Sequence, residues 1–179
     1  GINSGEDPTG APPTARAFTL FDAWETAGGT YAEARRAVAR GQEIFNGRTF
    51  TARASTCSSC HNAPNAGSSS TARLFDVGVS AAARRTPDLP LYTFRCVAGP
   101  LAGQARATTD PGLALISGRC EDIGRFKVPV LRGLAARPPY FHNGAAATLD
   151  DVVTFYDQQF GIGLTSAERA DLAAFLRAL

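Results

Sequence analysis

Apolar positions recur at helical spacing in three stretches of this chain. Tyr31, Ala34, Val38, Gly41 and Phe45 form the first stripe. It is preceded by Thr30-Tyr31-Ala32-Glu33, the pattern of a helix N-terminal capping box, and closed by Asn46-Gly47. Leu149, Val152, Val153, Tyr156 and Phe160 form the second, which sets the Tyr156 phenol on the buried side. That helix starts at Thr148, carries Asp151 in the first turn where an acid suits the dipole, and is broken by Gly161 and Gly163. Leu172, Phe175, Leu176 and Leu179 form the third, behind a second capping box, Thr165-Ser166-Ala167-Glu168. Gly41 sits inside its stripe, where glycine costs stability relative to alanine. Close approach of another helix would account for it, so the first and last helices are expected to cross there.

The stretches between are less regular. Residues 1–17 are dense in Gly, Pro and Thr and read as an extended arm. Phe18, Phe21 and Trp24 then recur every three residues, a short helix or turn that docks aromatics onto the body. Asn62 to Gly67 and the Ser/Thr run at 68–71 have loop chemistry. Residues 87–120 carry Pro87, Pro90, Pro100 and Pro111, with a strand pattern over Leu91–Val97 and a turn at Thr109-Asp110-Pro111-Gly112. The expected class is therefore mainly α, with an irregular, partly β insertion around 87–120. Residues 1–29 are expected to be an N-terminal extension, and 30–179 a single domain.

Composition narrows the function. A chain of 179 residues can bury a real core, and 44% hydrophobic content is that of an ordinary globular protein. A formal charge of +2 is too weak to argue for nucleic acid or an anionic membrane surface. No apolar run approaches the ~18 residues that span a bilayer. The chain opens Gly1-Ile2-Asn3, with neither an initiator Met nor a charged-then-apolar leader, which is the expectation for a mature or truncated product.

The chemistry lies in Cys57-Ser58-Ser59-Cys60-His61. Cys-x-x-Cys-His is the attachment signature of a c-type haem: each thiol reaches one vinyl group to form a thioether, and the imidazole lies under the iron. A redox-active dithiol would not need the adjacent histidine, and half of a zinc site would need a second ligand pair. Only two histidines occur, and the other cysteines, Cys96 and Cys120, are far apart in sequence. Thioether attachment and a disulfide both belong outside the cytoplasm, in the periplasm or cell exterior, so Cys96 and Cys120 are expected to pair; two buried thiols are the alternative. A backbone carbonyl of the loop after His61 is expected to take the Nδ1 proton and fix the ring. The chain holds no Met, which closes the usual His/Met ligation of electron-transfer cytochromes. Lys127 and Arg132 flank an apolar stretch suited to a haem crevice wall, where cations meet the propionates; Arg132 is favoured because its guanidinium matches a carboxylate fork.

From Phe126 onward the sequence resembles the bacterial di-haem cytochrome c peroxidases and their MauG-type relatives. The resemblance rests on Phe126-Lys127-Val128-Pro129-x-Leu131-Arg132, on Pro139-Tyr140-Phe141-His142-Asn143-Gly144, and on Thr148-Leu149-x-x-Val152-Val153-x-Phe155-Tyr156. The capped last helix and the run from Ala39 to Phe45 before the haem motif also fit. It covers about residues 35–179, is closest to the C-terminal haem domain of that family, and implies a cytochrome c-like haem domain. In the peroxidases the axial Met of this domain falls at the position of Tyr156, and MauG-type members carry a ligating Tyr there, which implies a haem between His61 and Tyr156. His142 is the other ligand candidate, or shapes the haem pocket, and an open sixth position is the third possibility. The family carries two haems, whereas this chain has one Cys-x-x-Cys-His, so no catalytic residue is transferred from the missing half.

Three functions compete on this reading. The first is a mono-haem module, one covalent haem c transferring single electrons to a redox protein partner. The second is the haem domain of a peroxidase or MauG-type oxidase that needs a second haem domain. The third is a relay subunit in a multi-haem complex. The isolated chain is expected to carry electrons rather than turn over substrate.

Overall fold

The computed structural model describes residues 16–52, 54–69 and 73–179. The expected arm over residues 1–17 lies almost wholly outside them. The described residues form five helices, α1 (Ala32–Gly47), α2 (Cys57–Cys60), α3 (Ala114–Ser117), α4 (Leu149–Phe160) and α5 (Ser166–Ala178), joined by 3-10 turns. Four short strands, β1 (Leu74–Phe75), β2 (Tyr92–Arg95), β3 (Ala105–Thr108) and β4 (Phe126–Lys127), complete the fold among the described residues. Among the described residues no helix is long and apolar enough to cross a membrane. The described residues fall into two compact units, one from those before 73 with 128–138 and 148–179, the other from 73–127 and 139–147.

The first unit holds α1, α2, α4 and α5. Helices α1 and α5 cross at Gly41, as its place in the stripe predicts: a Cβ there would lie 2.0 Å from the Asp171 carbonyl oxygen and 2.7 Å from Phe175 Cβ. Arg40 flanks the crossing, its Nε and Nη2 donating to the Asp171 carboxylate at 2.7 and 3.0 Å. Around it Phe18, Phe45 and Phe175 pack edge to face or tilted, with centroids 5.3–5.4 Å apart. Thr148 and Thr165 cap α4 and α5, each accepting from the backbone N–H three residues on. Past α4, buried Asp157 accepts from Gly163 N and Leu164 N and pairs with Arg169 at 2.9 Å, which folds the chain back into α5.

The start of α1 differs from expectation. Thr30 and Glu33 form no capping box; Tyr31 occupies the cap in a left-handed conformation and is 75% exposed, and Ala34 also faces solvent. The buried face instead runs Val38, Ala39, Gly41, Gln42, Phe45, Asn46. The two polar members are consumed by the preceding segment. Gln42 Oε1 accepts from Phe21 N and its amide donates to Asp22, while Asn46 accepts from Phe18 N and donates to Phe18 O. The aromatic stripe is thereby docked: Phe18 and Phe21 are buried, and Asp22–Trp24 form a 3-10 turn.

In the second unit, β2 and β3 pair antiparallel with Tyr92 opposite Thr108, and β1 pairs antiparallel with β4. The partly β region thus runs wider than 87–120. Cys96 and Cys120 form a disulfide. Buried Thr108 and Thr109 both donate to the Ser80 carbonyl, and Asp110 Oδ1 accepts from Gly112 N in the turn that Asp-Pro-Gly announces.

Candidate cofactor-attachment site

The Cys-x-x-Cys-His motif folds as one helical turn. Thr56 precedes α2 in extended conformation, its N–H donating to Ser59 Oγ at 3.0 Å, and His61 N closes the turn on the Cys57 carbonyl at 3.0 Å. Ser58 is buried and donates to the Asn46 carbonyl at 2.9 Å, which fixes the turn to the end of α1. Cys57, Cys60 and His61 are all half-buried, and the two cysteines are not joined to each other.

His61 is prepared as a ligand. Its Nδ1 lies 2.6 Å from the Gly67 carbonyl oxygen, the acceptor expected in this loop. A carbonyl only accepts, so the proton sits on Nδ1 and the Nε2 lone pair is left for a metal. Burial pushes the imidazole pKa down to about 4 against the opposing effect of that bond, so the ring is neutral at physiological pH. Phe45 stands edge-on to it, centroid to centroid 5.9 Å.

The thiols argue against a reactive dithiol. Burial, with Cys60 nearby, pushes the Cys57 thiol up to about 12, whereas catalytic cysteines have depressed values. Among the described residues no group of three or more His, Cys, Asp and Glu could hold a metal ion, so the zinc reading has no second ligand pair there. Two cysteines on one turn with a neutral, oriented imidazole fit thioether attachment of a porphyrin whose iron takes Nε2.

Tyr156 lies in the same unit on α4, half-buried, stacked on Phe160 at 5.8 Å and edge-on to Phe155 at 5.3 Å. Burial, and then the charges of Cys57 and Cys60, raise its phenol above the usual range. Arg132 is exposed on the loop after Leu131 and gives its carbonyl to Arg137 at 2.8 Å. The other two sequence candidates lie in the second unit. Lys127 is exposed on β4, paired with Leu74. His142 is exposed, its ring tilted against Phe126 at 4.6 Å and its Nδ1 bonded to Asp110 Oδ2. Asp110 and Asn143 also line a cavity there with Leu89, Tyr92 and Phe94. Asn143 is already bonded to Val79 O, Thr109 Oγ1 and Ala145 N, so that wall is structural.

Sequence reading missed Gly67, Asn65 and Asn46. The loop composition called for a carbonyl without saying which; the positive φ of Asn65 (52°) and Gly67 (69°) selects it.

No family model matches the chain. It is 33% identical to cytochrome-c peroxidase IdrP1 of Denitromonas iodatirespirans, over 89% of this chain and 44% of that protein. It is 35% identical to cytochrome-c peroxidase IdrP2 of the same organism, over 78% of this chain and 38% of the relative. A solved MauG-like protein associated with microbial copper homeostasis superposes with a TM-score of 0.51 at 25% identity, over 91% of this chain and 51% of the other. The chain thus spans less than half the length of these curated relatives.

Proposed function

We propose that this chain, which is similar to cytochrome-c peroxidases and to a MauG-like protein over most of its length, is a haem c domain of a peroxidase- or MauG-type oxidoreductase that works with a second haem domain. The observation that carries this is the turn Cys57–His61, in which both cysteines and an imidazole whose tautomer is fixed by Gly67 share one helical turn. Cys57 and Cys60 would hold the haem as thioethers, and His61 Nε2 would bind the iron. The haem supplies one-electron redox chemistry when bound.

The residues of the first unit divide the remaining work. Gly67 makes the imidazole a stronger donor by accepting its Nδ1 proton. Tyr156 is the second ligand in this reading, favoured by its place on α4 in the same unit as the motif and by the lack of any Met. Its raised pKa means that the free phenol keeps its proton, so ligation requires a ferric centre to stabilise the phenolate. Arg132 is assigned to a propionate for its fork of donors. The domain belongs to an exported, periplasmic protein, since c-type haem is attached outside the cytoplasm and the Cys96–Cys120 disulfide persists in an oxidising compartment.

The similarities favour the peroxidase alternative over the simple electron carrier that the single haem motif brings first to mind. The carrier keeps one observation on its side: the sequence holds one Cys-x-x-Cys-His. Peroxide consumption with a reduced electron donor separates them. Turnover that appears when the native second haem domain is present supports the proposal. A six-coordinate protein that exchanges electrons yet leaves peroxide untouched in every native assembly leaves the carrier.

A further inference from the structure

The carbonyl that orients His61 belongs to a loop held from outside. Residues 63–68 close on themselves: Gly67 N and Ala66 N donate to the Ala63 carbonyl at 2.9 and 3.2 Å, and Ala63 N donates to Ser68 O at 2.9 Å. Two bonds then tie the loop to the docked segment 17–19. Asn65 N donates to Ala17 O at 2.7 Å, and Thr19 N donates to Asn65 Oδ1 at 3.0 Å. Between them the fully buried Phe18 ring lies under Gly67, where an added Cβ would sit 2.7 Å from Cζ and 2.9 Å from Cε2. The ring has no room to retreat, being packed on Phe45 and Phe175. Asn46 grips Phe18 through two backbone bonds and gives its own carbonyl to Ser58 inside the haem motif.

We propose that Asn65 and segment 17–19 form a positioning clamp that sets the strength of the His61–Gly67 bond, and through it the electron affinity of an iron bound at Nε2. The proposal rests on the reading of His61 as the iron ligand. The physics is direct: Nδ1–H donation to a carbonyl pushes density onto Nε2, a better donor stabilises ferric over ferrous iron, and the potential falls. A loosened loop lets the 2.6 Å bond lengthen, and the potential rises. None of the clamp residues touches the reacting atoms; they act through Gly67.

Asn65→Gly is the first test, because glycine keeps the positive φ while losing the bond to Thr19. Asn65→Asp keeps the Oδ1 acceptor and serves as the conservative rescue. Potentiometry on the holoproteins should show Asn65→Gly shifted about tenfold toward ferrous, about 59 mV for one electron, with Asn65→Asp near wild type. Phe18→Leu, which removes the ring under Gly67 and keeps the position apolar, should shift the same way. If these variants carry haem, fold, and share the wild-type potential and iron–histidine stretching frequency, the clamp is refuted while His61 ligation stands. A wild-type mass without haem would remove the ligand reading and the clamp with it, and that is seen before any potential is compared.

Discussion

Gly41→Ala sets two physical effects against each other with opposite signs. Helix propensity alone favours the alanine by about 1 kcal/mol in a helix interior. The crossing opposes it, because the new methyl would meet the Asp171 carbonyl at 2.0 Å and backbone cannot rotate away as a side chain can. Relief requires α1 and α5 to part by more than about 1 Å, a gap that forfeits roughly a quarter to a half of each contact across it. Val38, Phe45, Leu172, Phe175 and Leu176 are the larger apolar side chains buried on the two helices. At about 2 kcal/mol each, losing a third of their burial costs about 3 kcal/mol. The net is about 2 kcal/mol of destabilisation, or a fall in Tm of about 4–8 °C for a chain of this size. Gly47→Ala is the control, since a Cβ there meets nothing within 4 Å. Thermal unfolding of both holoproteins by far-UV circular dichroism gives the comparison. A Gly41→Ala protein as stable as wild type, or more so, would mean that propensity decides and the crossing is looser than described.

The other expectations are smaller in scope. Tyr156→Phe should retain haem and fold but lose any phenolate signature in the ferric absorption and EPR spectra, with a raised potential; identical spectra would exclude Tyr156 as ligand. Paired Cys96→Ser and Cys120→Ser, which open a loop of sequence separation 24, should cost about 3 kcal/mol and expose the second unit to proteolysis. Consistent with this, the denatured wild-type holoprotein should titrate no thiols before reduction and two after it. Thr165→Ala, which removes the cap accepting from Glu168 N, should lower stability by about 1 kcal/mol in a urea titration, and an unchanged midpoint would deny the cap its weight.

What could be read from sequence was whatever depends on short-range periodicity. The faces of α4 and α5, the caps at Thr148 and Thr165 and the crossing at Gly41 each follow from residues three or four apart. The errors at α1 have one physical source. Gln42 and Asn46 lie on its buried face, and apolar spacing skips them because their partners, Phe21 and Phe18, are more than twenty residues away in sequence. Tyr31 and Ala34 kept the spacing without a neighbour to bury them. The haem motif shows the same division. Cys57, Cys60 and His61 read as a unit because five consecutive residues carry the whole pattern, while the Gly67 carbonyl, a backbone atom in a turn of two positive φ values, carries no side-chain signal. The Asp110–His142 bond spans 32 residues and had no counterpart in any local pattern.

The mass and visible spectrum of the purified protein bear most directly on the account. Acid-acetone extraction followed by intact-mass measurement should leave one haem on the chain, with a reduced-pyridine spectrum of a doubly thioether-linked porphyrin, both lost in a Cys57→Ser, Cys60→Ser double variant. A colourless polypeptide whose mass equals that of its amino acids alone, recovered from an oxidising compartment that attaches haem to other proteins, would contradict it.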